Sequence, residues 1–170
     1  MDFSALYEKA VDPRIEKAAR YFEGLAPGTA LPRRHDFRPE KVRDLLGFIF
    51  LIDVLQEEND FHFSLFGVHM AVLYGADLSN RKLSDIRNPA QHNALRQSYE
   101  AVVSTHNYVY LRGHYAWFNR SVGIERLLVP MCDNDGKLTT IFGLAVPDIP
   151  ADMLIVYTGN GSAKFESDPA

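Results

Sequence analysis

The chain has 170 residues, 46% hydrophobic and 24% charged, which supports one globular domain with a sizeable core. Its formal net charge of -4 excludes a broad electrostatic grip on nucleic acid, and the basic run Arg33-Arg34-His35 is too short to restore one. The single cysteine, Cys132, excludes an internal disulfide; no stretch reaches the roughly 18 apolar residues of a spanning helix, and no basic and apolar leader follows Met1, so a cytoplasmic protein is expected.

Phe3, Leu6, Tyr7 and Ala10 form a short apolar stripe at the start. Asp12-Pro13 then reads as a helix start, because Asp accepts from the free N–H groups of a first turn and Pro suits the first helical position. Ile15, Ala18, Ala19 and Phe22 recur at helical spacing, which predicts a helix from Pro13 to Glu23 stopped by Gly24. Pro27-Gly28 breaks the chain, Pro32 and Pro39 frame an extended linker, and Pro39 opens a short helix through Leu46.

Strands follow. Phe48 to Leu55 is apolar except for Asp53, and Phe61 to Phe66 alternates apolar and polar residues. The short polar gap Gln56 to Asp60 makes them a hairpin. Val68 to Tyr74 reads as a helix stopped by Gly75, Asp77 to Asp85 as a turn-rich loop, and Pro89 to Thr105 as a longer helix capped by Asn88. Asn107 to Phe118 is an aromatic, β-branched strand, and Asn119-Arg120-Ser121 its turn. Val122 to Cys132 and Leu138 to Val146 complete the sheet, joined where Asp135-Gly136 supplies the φ > 0 geometry of a tight connection. Ala151 to Tyr157 reads as a short helix or strand and Gly159 to Ala170 as a frayed tail. The expected organisation is an N-terminal helical flank (1–30), a central domain (31–147) and a C-terminal tail (148–170). The expected fold is α+β: a five-stranded antiparallel sheet with the mid-chain helices across one face and an extra N-terminal helix.

Five segments in order carry a family resemblance: Leu31-Pro32-Arg33-Arg34-His35-Asp36-Phe37-Arg38-Pro39, Leu45-Leu46-Gly47-Phe48 through Asp53-Val54, Phe61 through Gly67, Tyr74-Gly75-Ala76-Asp77-Leu78, and Glu125-Arg126-Leu127-Leu128-Val129-Pro130. Over about residues 14 to 146 the chain resembles the PAS domain, and more narrowly a bacterial family of single-domain PAS-like proteins. Two positions depart from that pattern. Asn80 stands where Gly is usual and tolerates the same left-handed turn, whereas Arg38 stands where an acidic residue is usual and cannot cap the next helix. The resemblance implies a PAS-like fold and a non-catalytic sensory, signalling or protein-interaction domain, with a pocket between sheet and central helices. It implies contact with a downstream protein, and it admits heme, flavin or a small organic ligand.

The residues allow a solid aromatic core or a ligand cavity. The cavity would be lined by Phe48, Phe50, Phe63, Met70, Leu73, Tyr74 and Tyr110. Alternation on the aromatic strand puts Tyr108, Tyr110, Arg112 and His114 on one face and Val109, Leu111, Gly113, Tyr115 and Trp117 on the other. The apolar set is the safer core choice, which a pocket would reverse. Heme is the cofactor alternative, with His69 as its ligand among Val68, Met70, Leu73 and Tyr74. Cys132, between a strand and the acidic residues Asp133 and Asp135, reads as an inert packing residue. Asp133-Asn134-Asp135-Gly136 lacks the glutamate of a calcium loop, since Leu144 holds its twelfth position. No metal site or nucleophilic triad is expected. An enzyme of cone-shaped α+β fold is the remaining alternative, with Asp53 and His62 on paired strands as its acid–base pair. The stripe on the Pro13 helix, expected to lie outside the sheet–helix core, either docks on the sheet or pairs with a second copy; a homodimer through that helix is the favoured expectation, because an amphipathic flank has an apolar face to bury.

Overall fold

The computed structural model describes residues 1–26, 28, 30–117 and 120–149. The expected element at 151–157, the tail at 159–170, Phe118 at the end of the expected aromatic strand, Asn119 of its turn, and Pro27 of the chain break lie outside these; Arg120 and Ser121 of that turn are strand residues instead. Among the described residues, four α-helices and six strands alternate in the order α1 (Ser4–Tyr7), α2 (Pro13–Leu25), β1 (Ile49–Leu55), β2 (Asp60–Phe66), α3 (Val68–Tyr74), β3 (Arg81–Lys82), α4 (Pro89–Thr105), β4 (Val109–Trp117), β5 (Arg120–Cys132) and β6 (Leu138–Pro147). The strands form one sheet in the order β3-β2-β1-β6-β5-β4, and every pairing between neighbours is antiparallel. The sixth strand is β3, two residues inside the segment expected to be all loop.

Local chemistry fixes the connections. In the β5–β6 turn the Asp133 carboxylate accepts from the amides of Asp135 and Lys137, each at 3.0 Å, while Gly136 takes φ 82. Asp12 caps α2 through the Arg14 amide, and Asn88 caps α4 through the Gln91 amide. Arg38 gives no side-chain cap, and the segment it precedes, Pro39–Phe48, is 3-10 helical with a kink at Val42. Asn80 does adopt the left-handed conformation, at φ 60. Gly24 does not stop α2, which ends one residue later because its φ stays ordinary there.

Both faces of the sheet are covered. Phe50, Ile52, Phe61 and Phe63 point toward α3 and α4, and the Phe61 and Phe63 rings meet that of Tyr99 at 5.2 and 6.3 Å. The opposite face carries the N-terminal segment: Phe22 lies 4.6 Å from Phe142, and Phe3 stacks on Tyr108 at 4.7 Å. Ile15, Ala18, Ala19 and Phe22 are at most 1% exposed in the single chain. This corrects the basis for pairing two copies through α2. The stripe is already buried on its own sheet, so no unburied apolar face on α2 remains to drive association. The helix is part of the packed core rather than a flank outside it.

Candidate functional site

Between the sheet and α3–α4 lies a cavity of about 440 Å³. The aromatic side chains of this region therefore do not fill it as a solid core. Phe50 and Phe63 form its floor, and Met70, Leu73 and Tyr74 of α3 form one wall. Ala94, Leu95 and Tyr99 of α4 close another. Tyr115, Ile124 and Arg126 of the β4–β5 ribbon, with Ala145 of β6, complete it. Gly143 makes room for the floor: a Cβ there would lie 2.1 Å from the Phe50 ring, its cross-strand partner.

Five of the seven expected lining residues are brought together here, namely Phe50, Phe63, Met70, Leu73 and Tyr74. Phe48 and Tyr110 are not. Phe48 packs against the His69 ring at 4.6 Å and lies under the Arg14 guanidinium. Tyr110 points to the other face of the sheet, where its hydroxyl donates to Glu125 at 2.8 Å. Burial and that carboxylate push the Tyr110 phenol up to about 12. The apolar set on β4 thus faces the helices, and Tyr115 of that set meets the cavity where Tyr110 does not.

His69 also misses the cavity. Its ring lies against Gly47, where a Cβ would meet the imidazole at 2.1 Å, and its buried Nδ1 has no hydrogen-bond partner among the described residues. Burial, and then the Arg14 charge, lower its pKa. A neutral imidazole wedged between Gly47 and Phe48 is not directed at a porphyrin in the cavity. Asp53 and His62 do share a face, and His62 Nδ1 lies 3.4 Å from the Asp53 carboxylate. That face is the one opposite Phe50 and Phe63, so the pair cannot act on anything inside. Ser64 donates to the same carboxylate at 3.1 Å and makes no bond to His62, which leaves no relay toward a nucleophile.

Of the polar groups of the cavity, Tyr74 was among the expected residues, whereas Arg126 and Tyr115 were not. Arg126 lines it with no ion pair or hydrogen bond from its guanidinium among the described residues. The Tyr74 hydroxyl is buried and equally without a partner. The Tyr115 hydroxyl accepts from Gln91 Nε2 at 3.1 Å. Burial raises the pKa of Tyr74, Tyr99 and Tyr115, and the Arg126 charge acts on each in the opposite sense, which puts the guanidinium within electrostatic reach of all three. Glu125, the neighbour of Arg126, points the other way and accepts from the amides of Val11 and Asp12, each at 3.1 Å. Alternation along β5 is the signal that separates these two residues, one to each face.

A curved antiparallel sheet, central helices over one face and a cavity between them define a fold that other proteins share. The sequence pattern of the PAS domain family matches residues 11–146. The chain belongs to the PAS domain family. The PAS domain of Bordetella pertussis BvgS is 14% identical to it, with a TM-score of 0.50 over 71% of this chain and 93% of that one. Vibrio cholerae VqmA, solved as a dimer in the absence of its target DNA, is 15% identical, with a TM-score of 0.51 over 69% of this PAS domain chain and 53% of VqmA. A VqmA–ligand–DNA complex gives 14% identity and a TM-score of 0.51, covering 80% of this chain and 63% of that one. The chain thus spans less than two thirds of VqmA, and at these identities the likeness is one of fold. No curated protein matches. No helix among the described residues of this PAS domain is long and apolar enough to cross a membrane.

Proposed function

We propose that this PAS domain is a non-catalytic sensory module that binds a small organic ligand between its sheet and α3–α4. The reading takes its change in contacts with a partner protein as the output, and a cytoplasmic setting as the compartment. The observation that carries it is the cavity of about 440 Å³, apolar over most of its wall with a few convergent polar groups, which is the usual make-up of a small-molecule site. β5 supplies a physical route outward. Arg126 lines the cavity, and the next residue, Glu125, holds the amides that lead into α2. A shift of β5 on binding would be felt at the start of that helix.

Pairing of two copies through α2 would have to use its polar side, where Lys17 and Arg20 are already matched to Asp44 and Glu16. Light scattering separates the cases. A mass near 19.2 kDa at high concentration leaves the output to a different partner, and twice that mass assigns it to a second copy.

The ligand reading is tested by a thermal-shift screen of diverse small organic compounds on the wild type and on Ala94→Trp, a substitution meant to obstruct the cavity from its exposed wall. A ligand that binds only the native state raises the melting temperature by mass action. The expected result is compounds that stabilise the wild type and leave Ala94→Trp unmoved. Stabilisers acting equally on both would place binding elsewhere and remove the proposal.

A further inference from the structure

We infer that the cavity takes a monocarboxylate with an apolar or aromatic body, its carboxylate held by Arg126 and its body seated among Phe50, Phe63 and Leu73. This rests on the ligand cavity proposed above and names the chemistry it would select.

The cavity holds an unmatched charge. A guanidinium partly withdrawn from water normally finds a carboxylate, because its fork of donors fits the two oxygens and the desolvation is otherwise uncompensated. Here Arg126 is half-buried, lines the cavity and has no acidic partner among the described residues. No Asp or Glu lines the cavity at all. The guanidinium is thus offered to whatever enters.

The hydroxyls agree with an acceptor ligand. Tyr74 carries a buried O–H with nothing to receive it. Tyr115 already accepts from Gln91, so its own hydrogen remains to be donated. Both phenols stay protonated, and therefore donors, because burial raises their pKa. The Tyr74 and Tyr115 rings are stacked with centroids 6.3 Å apart, and both residues line the same cavity as Arg126. One arginine and two phenol donors suit a single negative charge with two acceptor oxygens. A dianion would bring a second charge for which no second arginine or lysine among the described residues lines the cavity, which disfavours phosphates and dicarboxylates.

The test titrates the full chain, followed by its amide spectrum, with phenylacetate, 4-phenylbutyrate and octanoate and with the three matching amides. The amides keep the body and one oxygen and remove the charge. The wild type is expected to bind at least one acid tenfold or more tightly than its amide. Arg126→Gln is expected to erase that preference while amide binding stays. Arg126→Lys, which keeps the charge without the fork, is expected to keep part of it, and Tyr74→Phe to weaken the acid severalfold. If Arg126→Gln does not fold, the last two variants read the same contrast. Amides binding as well as acids, or Arg126→Gln keeping the preference, would overturn the inference and leave the ligand cavity standing. No perturbation of cavity amides by any of the six compounds would overturn the inference, and the thermal-shift screen decides separately whether the cavity binds a ligand.

Discussion

Gly143 and Gly47 leave room for the Phe50 and His69 rings, and each of these contacts leads to a prediction at a single residue. Gly143 sits under the Phe50 ring, where a Cβ would come within 2.1 Å. Gly143→Ala must push that ring toward the cavity, and overpacking of this kind costs about 1–3 kcal/mol. Urea denaturation should report that loss, and any cavity ligand should bind the variant more weakly. A second prediction concerns His69, whose imidazole is held neutral by burial and then by Arg14. Its folded pKa lies below the ordinary value of 6.5, so between the two the unfolded chain binds more protons. The His69 contribution is therefore whole above about pH 6.5 and is lost as pH falls below it. Unfolding free energies for the wild type and His69→Gln at neutral and mildly acid pH should show the wild type losing more on acidification. At this scale the sequence was only partly legible. It named Phe50, Phe63, Met70, Leu73 and Tyr74, because apolar residues on facing elements converge on one space. It missed Arg126, since Glu125-Arg126 reads as one charged pair until the strand's alternation sends the two side chains to opposite faces.

Among elements, α2 is set by its ends and by the sheet beneath it. Asp12 caps it, with both a side-chain and a backbone bond from Arg14, and these outweigh burial to hold the Asp12 carboxyl below its ordinary range. Glu125 then ties the two preceding amides and the Tyr110 hydroxyl to β5. Glu125→Gln replaces one acceptor oxygen by a donor facing a donor, and a buried group left unsatisfied costs about 1–3 kcal/mol. Faster hydrogen exchange at the Val11 and Asp12 amides, with a matching loss in denaturation, is the expected result. Unchanged exchange would mean that the carboxylate does not hold the helix. The helix start and its apolar stripe were readable from Asp12-Pro13 and the spacing of Ile15 to Phe22. Where the stripe goes was not, since an amphipathic helix looks the same whether its own sheet or a second copy covers it. β3 escaped for a simpler reason: two residues are too few for alternation to register.

At the scale of the whole molecule, the sheet separates two sets of helices with different tasks. One face is sealed by α2 through rings such as Phe22 on Phe142. The other is left partly open under α3 and α4, despite a supply of aromatic residues large enough to close it. The order of helices and strands, legible from turns and periodicity, dictated the antiparallel α+β plan. The void was not legible, because packing density depends on how side chains meet across elements and not on their order. The proposal is that this void is a ligand site. Native mass spectrometry of the full chain, purified gently from its own host, tests that claim most directly. The expected spectrum is a chain of 19.2 kDa, or a multiple of it, carrying the added mass of a small organic molecule that Ala94→Trp no longer retains. Bare protein in both samples, or an adduct that survives Ala94→Trp unchanged, would contradict it.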